Sequence, residues 1–116
     1  NPKIDWIRYP FHKDHPQQSL ALKQMKGGGA IITLRLKGNK SETYAFCKRL
    51  KYFNMAESLG GVESLICHPA SMTHVSIETD VRAHLGIDDG LVRLSIGCED
   101  YKDLLADLEN ALKEVK

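Results

Sequence analysis

The sequence predicts an α+β domain, a two-layer sandwich whose mostly antiparallel or mixed sheet is covered by helices on one side. Three observations predict it. Apolar and polar residues alternate in AIITLRL (Ala30–Leu36) and in LVRLSI (Leu91–Ile96), the period of half-buried strands. After Asp100, residues Leu104, Leu105, Leu108, Ala111, Leu112 and Val115 form the apolar stripe of an amphipathic helix. The connections are too short and irregular to demand a regular series of parallel crossovers.

The elements follow in order. KIDWIRYP alternates, with Ile4 and Trp6 on one side and Asp5 and Ile7 on the other, and Pro10 ends this first strand. In HPQQSLALKQM, Pro16 suits a first helical turn, good helix formers follow, and Gly27, Gly28 and Gly29 stop the helix. AIITLRL is the clearest strand: Ile32, Leu34 and Leu36 share one face, Ile31, Thr33 and Arg35 the other. Ser41 can cap the next helix, whose Phe46, Leu50 and Phe53 recur at helical spacing. GVESLI reads as a short strand, and a helix from about Glu78 to Leu85 should end at a left-handed Gly86. In LVRLSI, Val92, Leu94 and Ile96 point inward, opposite Arg93 and Ser95; Asp100 caps the last helix. The sheet face carrying Thr33, Arg35, Arg93 and Ser95 then needs water or a partner.

The totals bound the function. A chain of 116 residues makes one domain, residues 1–116. Net charge is +1, which gives no field to select nucleic acid or an anionic membrane. No apolar run approaches the ~18 residues of a membrane helix, and no stretch has the pattern of a signal peptide. Cys47, Cys67 and Cys98 are odd in number and widely spaced, which fits free thiols in a reducing cytosol rather than disulfides or a zinc pair. A cytoplasmic protein is expected.

Several motifs invite chemistry. The glycines at 27–29 lie between a helix and a strand, the reverse of a phosphate-binding loop, so a simple flexible connection is preferred. Cys67, His68 and His74 contain metal-ligating types, but adjacent residues on an extended chain point apart and no fourth ligand is evident, so no metal is expected. No group orients a Cys–His pair for nucleophilic catalysis, and no Lys directly follows a Ser or Thr. Arg93 lies mid-strand between Val92 and Leu94. Its planar fork either reaches solvent from the sheet face or grips a carboxylate through two parallel hydrogen bonds. Glu57 and Ser58 precede Leu59 and a double glycine, which permits close backbone approach to a ligand or simply marks a bulge.

AESLGGVESLICHPASMTH followed by GIDDGLVRLSIGCEDYKDLLADLENAL closely resembles the C-terminal end of the pyridoxal-phosphate enzymes of cysteine and methionine metabolism. Within that family the resemblance points to cystathionine gamma-synthase and gamma-lyase. HPQQSLALKQMKGGGAIITLRLKG is similar to a further segment of that family, so the resemblance spans nearly the whole chain. It implies the small C-terminal domain of the aspartate-aminotransferase type. It also implies roles: Arg93 for the substrate α-carboxylate, Ser58 for a backbone contact near the cofactor lysine, and Glu57 for a preference toward cystathionine-type substrates. Cys67 and Cys98 receive no role; Thr73 and His74 are structural.

The resemblance further implies what this chain leaves to others. The Schiff-base lysine, the phosphate cup and the group behind the pyridine nitrogen belong to an N-terminal domain outside these residues. No catalytic, directly cofactor-binding or metal residue is therefore expected here, and the piece alone should not turn over substrate. The start at Asn1 suits a C-terminal domain of a larger enzyme. The intact enzyme should be a homotetramer of methionine biosynthesis or transsulfuration. It would hold pyridoxal phosphate and take an amino-acid substrate, performing γ-replacement on an acylated homoserine or γ-elimination from cystathionine. The alternative is a stand-alone, non-catalytic module that binds an amino acid or a protein through the open sheet face. The aromatics Trp6, Tyr9 and Phe11 are candidates for association through a surface left uncovered.

Overall fold

Two strands with clean alternation settle at the centre of the sheet. The computed structural model describes residues 1–115. Its elements are β1 (Ile4–Arg8), α1 (Gln18–Gln24), β2 (Ile31–Leu36), α2 (Lys40–Arg49), β3 (Asn54–Met55), β4 (Leu65–Cys67), α3 (Thr79–His84), β5 (Leu91–Ser95) and α4 (Tyr101–Leu112). The strand order is β1-β2-β5-β4-β3. Among the described residues only β3 and β4 run parallel; the other pairs are antiparallel. The α+β class with a mixed sheet is as the sequence indicated.

The register puts Leu34 opposite Val92, and Ile32 and Ile66 on either side of Leu94. That face packs on α2 and α4 through Phe46, Cys47, Leu50, Leu104, Ala111 and Leu112, with Val115 closing the end. Burying each large apolar side chain contributes about 1.5–3 kcal/mol. Burial also pushes the Cys47 thiol up to about 12, so that thiol stays protonated and inert in the folded state. No helix is long and apolar enough to cross a membrane, among the described residues.

Several local expectations change. Strand β1 contains a bulge between Ile4 and Trp6, so strict alternation fails. Ile4 and Ile7 both pack against the core, and Asp5 is freed to bond Arg35. Asn39, not Ser41, caps α2: its side chain accepts from Glu42 N–H at 3.0 Å, and Glu42 accepts from Asn39 N–H at 2.9 Å. GVESLI is strand only in its last residues, and β3 is too short to show any alternation. Gly28 is less a hinge than a fit: a Cβ there would lie 2.4 Å from the Tyr9 ring. Tyr9 and Phe11 pack edge to face, and the Arg8 guanidinium sits over Trp6, so these aromatics already have internal partners. Helix α1 buries none of its residues, which leaves Leu20 and Leu22 exposed. Gly86 takes the expected left-handed conformation after α3, and Asp100 caps α4.

The stripe on α4 contains an unforeseen acid. Leu105 is exposed, whereas Asp107 is buried. The Asp107 carboxylate accepts from Lys51 N–H through both oxygens and from Tyr52 N–H at 2.9 Å, fixing the turn after α2 onto α4. Asp107→Ala should therefore cost about 2 kcal/mol or more in urea unfolding, the scale of lost charge-assisted caps, while Leu105→Ala stays within about 0.5 kcal/mol.

Candidate functional site

Period two on β5 sorts its side chains between two chemistries. Val92 and Leu94 enter the core; Leu91, Arg93 and Ser95 point to the other face. That face is not open along its length: Leu65, Cys67, Leu91 and Ser95 are buried, and Arg35 and Arg93 are half-buried. Arg93 sits between Thr33 of β2 and Cys67 of β4.

The two arginines on this face are satisfied differently. Arg35 donates from Nε to Asp88 at 2.6 Å and from Nη1 to Asp5 at 2.8 Å. The bond to Asp88, with that to Asp5, holds its proton above the ordinary guanidinium range against the opposing effect of burial. Arg93 has no acidic partner among the described residues. Its Nη2 donates to the main-chain carbonyls of Glu57 at 2.9 Å and Ser58 at 3.2 Å. Its Nε is buried without an acceptor. A buried donor left unmatched costs about 1–3 kcal/mol, more for a charged group, so an incoming anion would gain from meeting it.

Glu57, Ser58 and Arg93 are thus brought together, but by main-chain contacts. The Glu57 and Ser58 side chains lie in an exposed stretch of chain, and only their carbonyls touch the guanidinium. This stretch runs through Gly60, whose φ of +73° favours glycine. Gly60 N–H donates to Ser95 Oγ at 2.8 Å. The stretch then re-enters the fold at Ser64. The Glu99 carboxylate accepts from Ser64 N–H at 2.7 Å and from Ser64 Oγ–H at 2.8 Å, and Gly97 N–H donates to that same hydroxyl oxygen. A Cβ on Gly97 would lie 2.4 Å from the Val62 carbonyl, so only glycine lets the strand exit pass this close.

Side chains of the Cys67–His74 segment bond within the fold. His68 is fully buried. Its Nε2 faces the Asp89 carbonyl at 2.9 Å, which can only accept, so Nε2 carries hydrogen. In the neutral ring Nδ1 then accepts from the Ser71 hydroxyl at 2.7 Å. Among the described residues, no three His, Cys, Asp or Glu side chains are placed to share a metal ion. A surface cavity of about 760 Å³ is lined by Lys40, Ser41, Tyr44, Met55, Ser71 and Met72, and none of Glu57, Ser58 and Arg93 lines it. The sequence reading placed Ser95 on the Arg93 face without giving it a role, and missed Ser64 and Glu99. Ser95 was visible as the residue two places beyond Arg93 on the same face; the Ser64–Glu99 pairing has no local signal.

The arrangement offers a guanidinium with donors to spare, its Nη2 held by two carbonyls. Those spare donors suit a carboxylate. They do not suit the three demands of pyridoxal phosphate, an amine for its aldehyde, donors around its phosphate and a partner for its ring nitrogen.

Comparison with known proteins covers nearly the whole chain. The pattern of the family described as Cys/Met metabolism PLP-dependent enzyme matches residues 1–113. Cystathionine gamma-lyase of Dictyostelium discoideum is 47% identical over 112 residues, covering 97% of this chain and 29% of that protein. L-methionine gamma-lyase of Pseudomonas deceptionensis is 48% identical, with 97% and 28% covered. Cystathionine beta-lyase of Coxiella burnetii is 51% identical, with 97% and 29% covered. Cystathionine gamma synthase from Xanthomonas oryzae pv. oryzae, in its crystal structure in complex with aminoacrylate and cysteine, superposes with a TM-score of 0.91 at 47% identity. The match covers 98% of this chain and 30% of that one. The chain therefore spans under a third of the length of these relatives.

The Glu99 clasp has a pH signature. Accepting from the Ser64 N–H, its own N–H and the Ser64 hydroxyl holds its carboxyl below the ordinary value of 4.5. A lowered folded-state pKa gives stability that is present above the unfolded value and lost as pH falls through the folded one. Urea titrations of wild type and Glu99→Gln should therefore differ above about pH 5 and converge as pH drops below the ordinary carboxyl range. A gap that persists unchanged at low pH would remove the clasp.

Proposed function

This chain belongs to the Cys/Met-metabolism family of pyridoxal-phosphate-dependent enzymes, and from that premise we propose that it forms the substrate-carboxylate side of the active site in a transsulfuration enzyme. The intact enzyme acts by γ-replacement on an acylated homoserine or by γ-elimination from cystathionine. Relatives carrying synthase and lyase names both align along nearly the whole chain, which supports that pair of reactions without choosing between them.

The observation that carries the reading is the state of Arg93. It is a half-buried guanidinium on the central strand, with no acid beside it among the described residues, a buried Nε lacking an acceptor and bonds from Nη2 alone; Arg82 on α3 shares the unmatched Nε, but it lies off the sheet and both of its Nη atoms are taken. Arg35, on the same face, shows what a structural arginine looks like here: two carboxylates close on it. Arg93 binds the substrate α-carboxylate. The Glu57 and Ser58 carbonyls hold Nη2 and so fix the plane in which the fork presents its remaining donors. A planar guanidinium sets direction as well as distance, and that orientation lowers the barrier for whatever bond breaks next to the carboxylate. Pyridoxal phosphate, anchored by residues outside this chain, supplies the electron sink. The Glu57 side chain, exposed beside this point, faces the distal part of a cystathionine-like substrate.

In the intact enzyme, Arg93→Lys should raise KM and lower kcat/KM by about ten- to a hundredfold, the scale of a lost charge-assisted pair. Steady-state kinetics with cystathionine and with an acylated homoserine measure this. A wild-type profile would remove Arg93 from the site.

A further inference from the structure

Residues 57–61 form an exposed stretch with few attachments. Ala56 N–H bonds the Ile66 carbonyl at 3.0 Å, and the Val62 carbonyl accepts from Cys98 N–H at 2.8 Å. Between those two points, the hydrogen bonds made to the described residues come from two side chains of β5 alone. Arg93 Nη2 donates to the Glu57 and Ser58 carbonyls, and Ser95 Oγ accepts from Gly60 N–H at 2.8 Å. Arg93 and Ser95 stand two residues apart on one face, about 7 Å along the strand. They seize the same stretch from opposite polarity, one donating and one accepting.

We propose that Ser95 is a positioning residue for the reaction: by holding Gly60 it fixes the Glu57 and Ser58 carbonyls and, through them, the fork of Arg93. This rests on the reading of Arg93 as the carboxylate site. Ser95 suits the task because it cannot itself shift. It is 1% exposed and is paired across the sheet with Ile31 on one side and Leu65 on the other. Gly60 suits it because its positive φ turns the N–H toward the strand. Without the Ser95 oxygen, the stretch has only the ligand-binding arginine to hold it. The carbonyls then wander, and the guanidinium must be ordered anew each time a carboxylate binds.

The test uses the intact enzyme that carries this chain. Ser95→Ala should raise KM for the amino-acid substrate about five- to tenfold, the scale of one hydrogen bond, with kcat changed less. Ser95→Thr, which keeps the hydroxyl, should restore KM. In an Arg93→Ala background the Ser95→Ala change should have little further effect, because its target is gone. If Arg93→Ala raises KM but Ser95→Ala leaves it at the wild-type value, the role of Ser95 is overturned and that of Arg93 stands. If Ser95→Ala lowers kcat and thermal stability together at constant KM, Ser95 is only structural. If Arg93→Ala itself leaves KM unchanged, the carboxylate reading fails first.

Discussion

A positive charge half-buried in the middle of a central strand is the constraint on which this domain turns. Taking a guanidinium out of water is costly unless something negative or polar meets it. Arg93 meets only two peptide carbonyls, and its Nε meets nothing among the described residues. The fold therefore has to hold an exposed stretch of main chain against the strand, and much of the surrounding detail follows. Gly60 bends back to Ser95, Gly97 lets the strand exit pass the Val62 carbonyl, and Glu99 clasps Ser64.

The cost is met by rigidity elsewhere. Strand β5 is flanked by β2 and β4, and its opposite face is sealed by α2 and α4. Arg35 ties β1 and the Asp88 turn to the same sheet, and His68 ties the turn after β4 to Asp89, just before β5. The entrance to the Arg93 strand is thus pinned twice, at Asp88 by Arg35 and at Asp89 by His68. Arg93 differs from Arg35 in being left incomplete; Arg82 on α3 also has a buried Nε without an acceptor, but it lies off the sheet and both of its Nη atoms have partners.

Much of this was legible in the residues. The alternation of AIITLRL and LVRLSI and the stripe after Asp100 were sufficient for the class, because strand and helix periods differ so clearly there. What was lost depended on tertiary pairing. The Asp5 bulge shifts β1 by one residue, a change that alternation cannot announce. Asp107 interrupts an apolar stripe, yet it is buried because it caps a turn more than fifty positions earlier in the chain. The site divided the same way. Arg93 stood out as a charge in a greasy strand, and the family resemblance selected carboxylate binding from the two chemistries its fork allowed. That the Glu57 and Ser58 carbonyls would meet Arg93, and that Ser95 would face Gly60, depends on a chain path that no local pattern encodes.

The most direct measurement is a structure of the intact enzyme with an amino-acid ligand bound. The account predicts a ligand α-carboxylate oxygen about 3 Å from the Arg93 guanidinium, with the Glu57 and Ser58 carbonyls still on Nη2. It would be contradicted if the ligand carboxylate lay elsewhere, or if an acidic side chain from the rest of the enzyme already closed on Arg93.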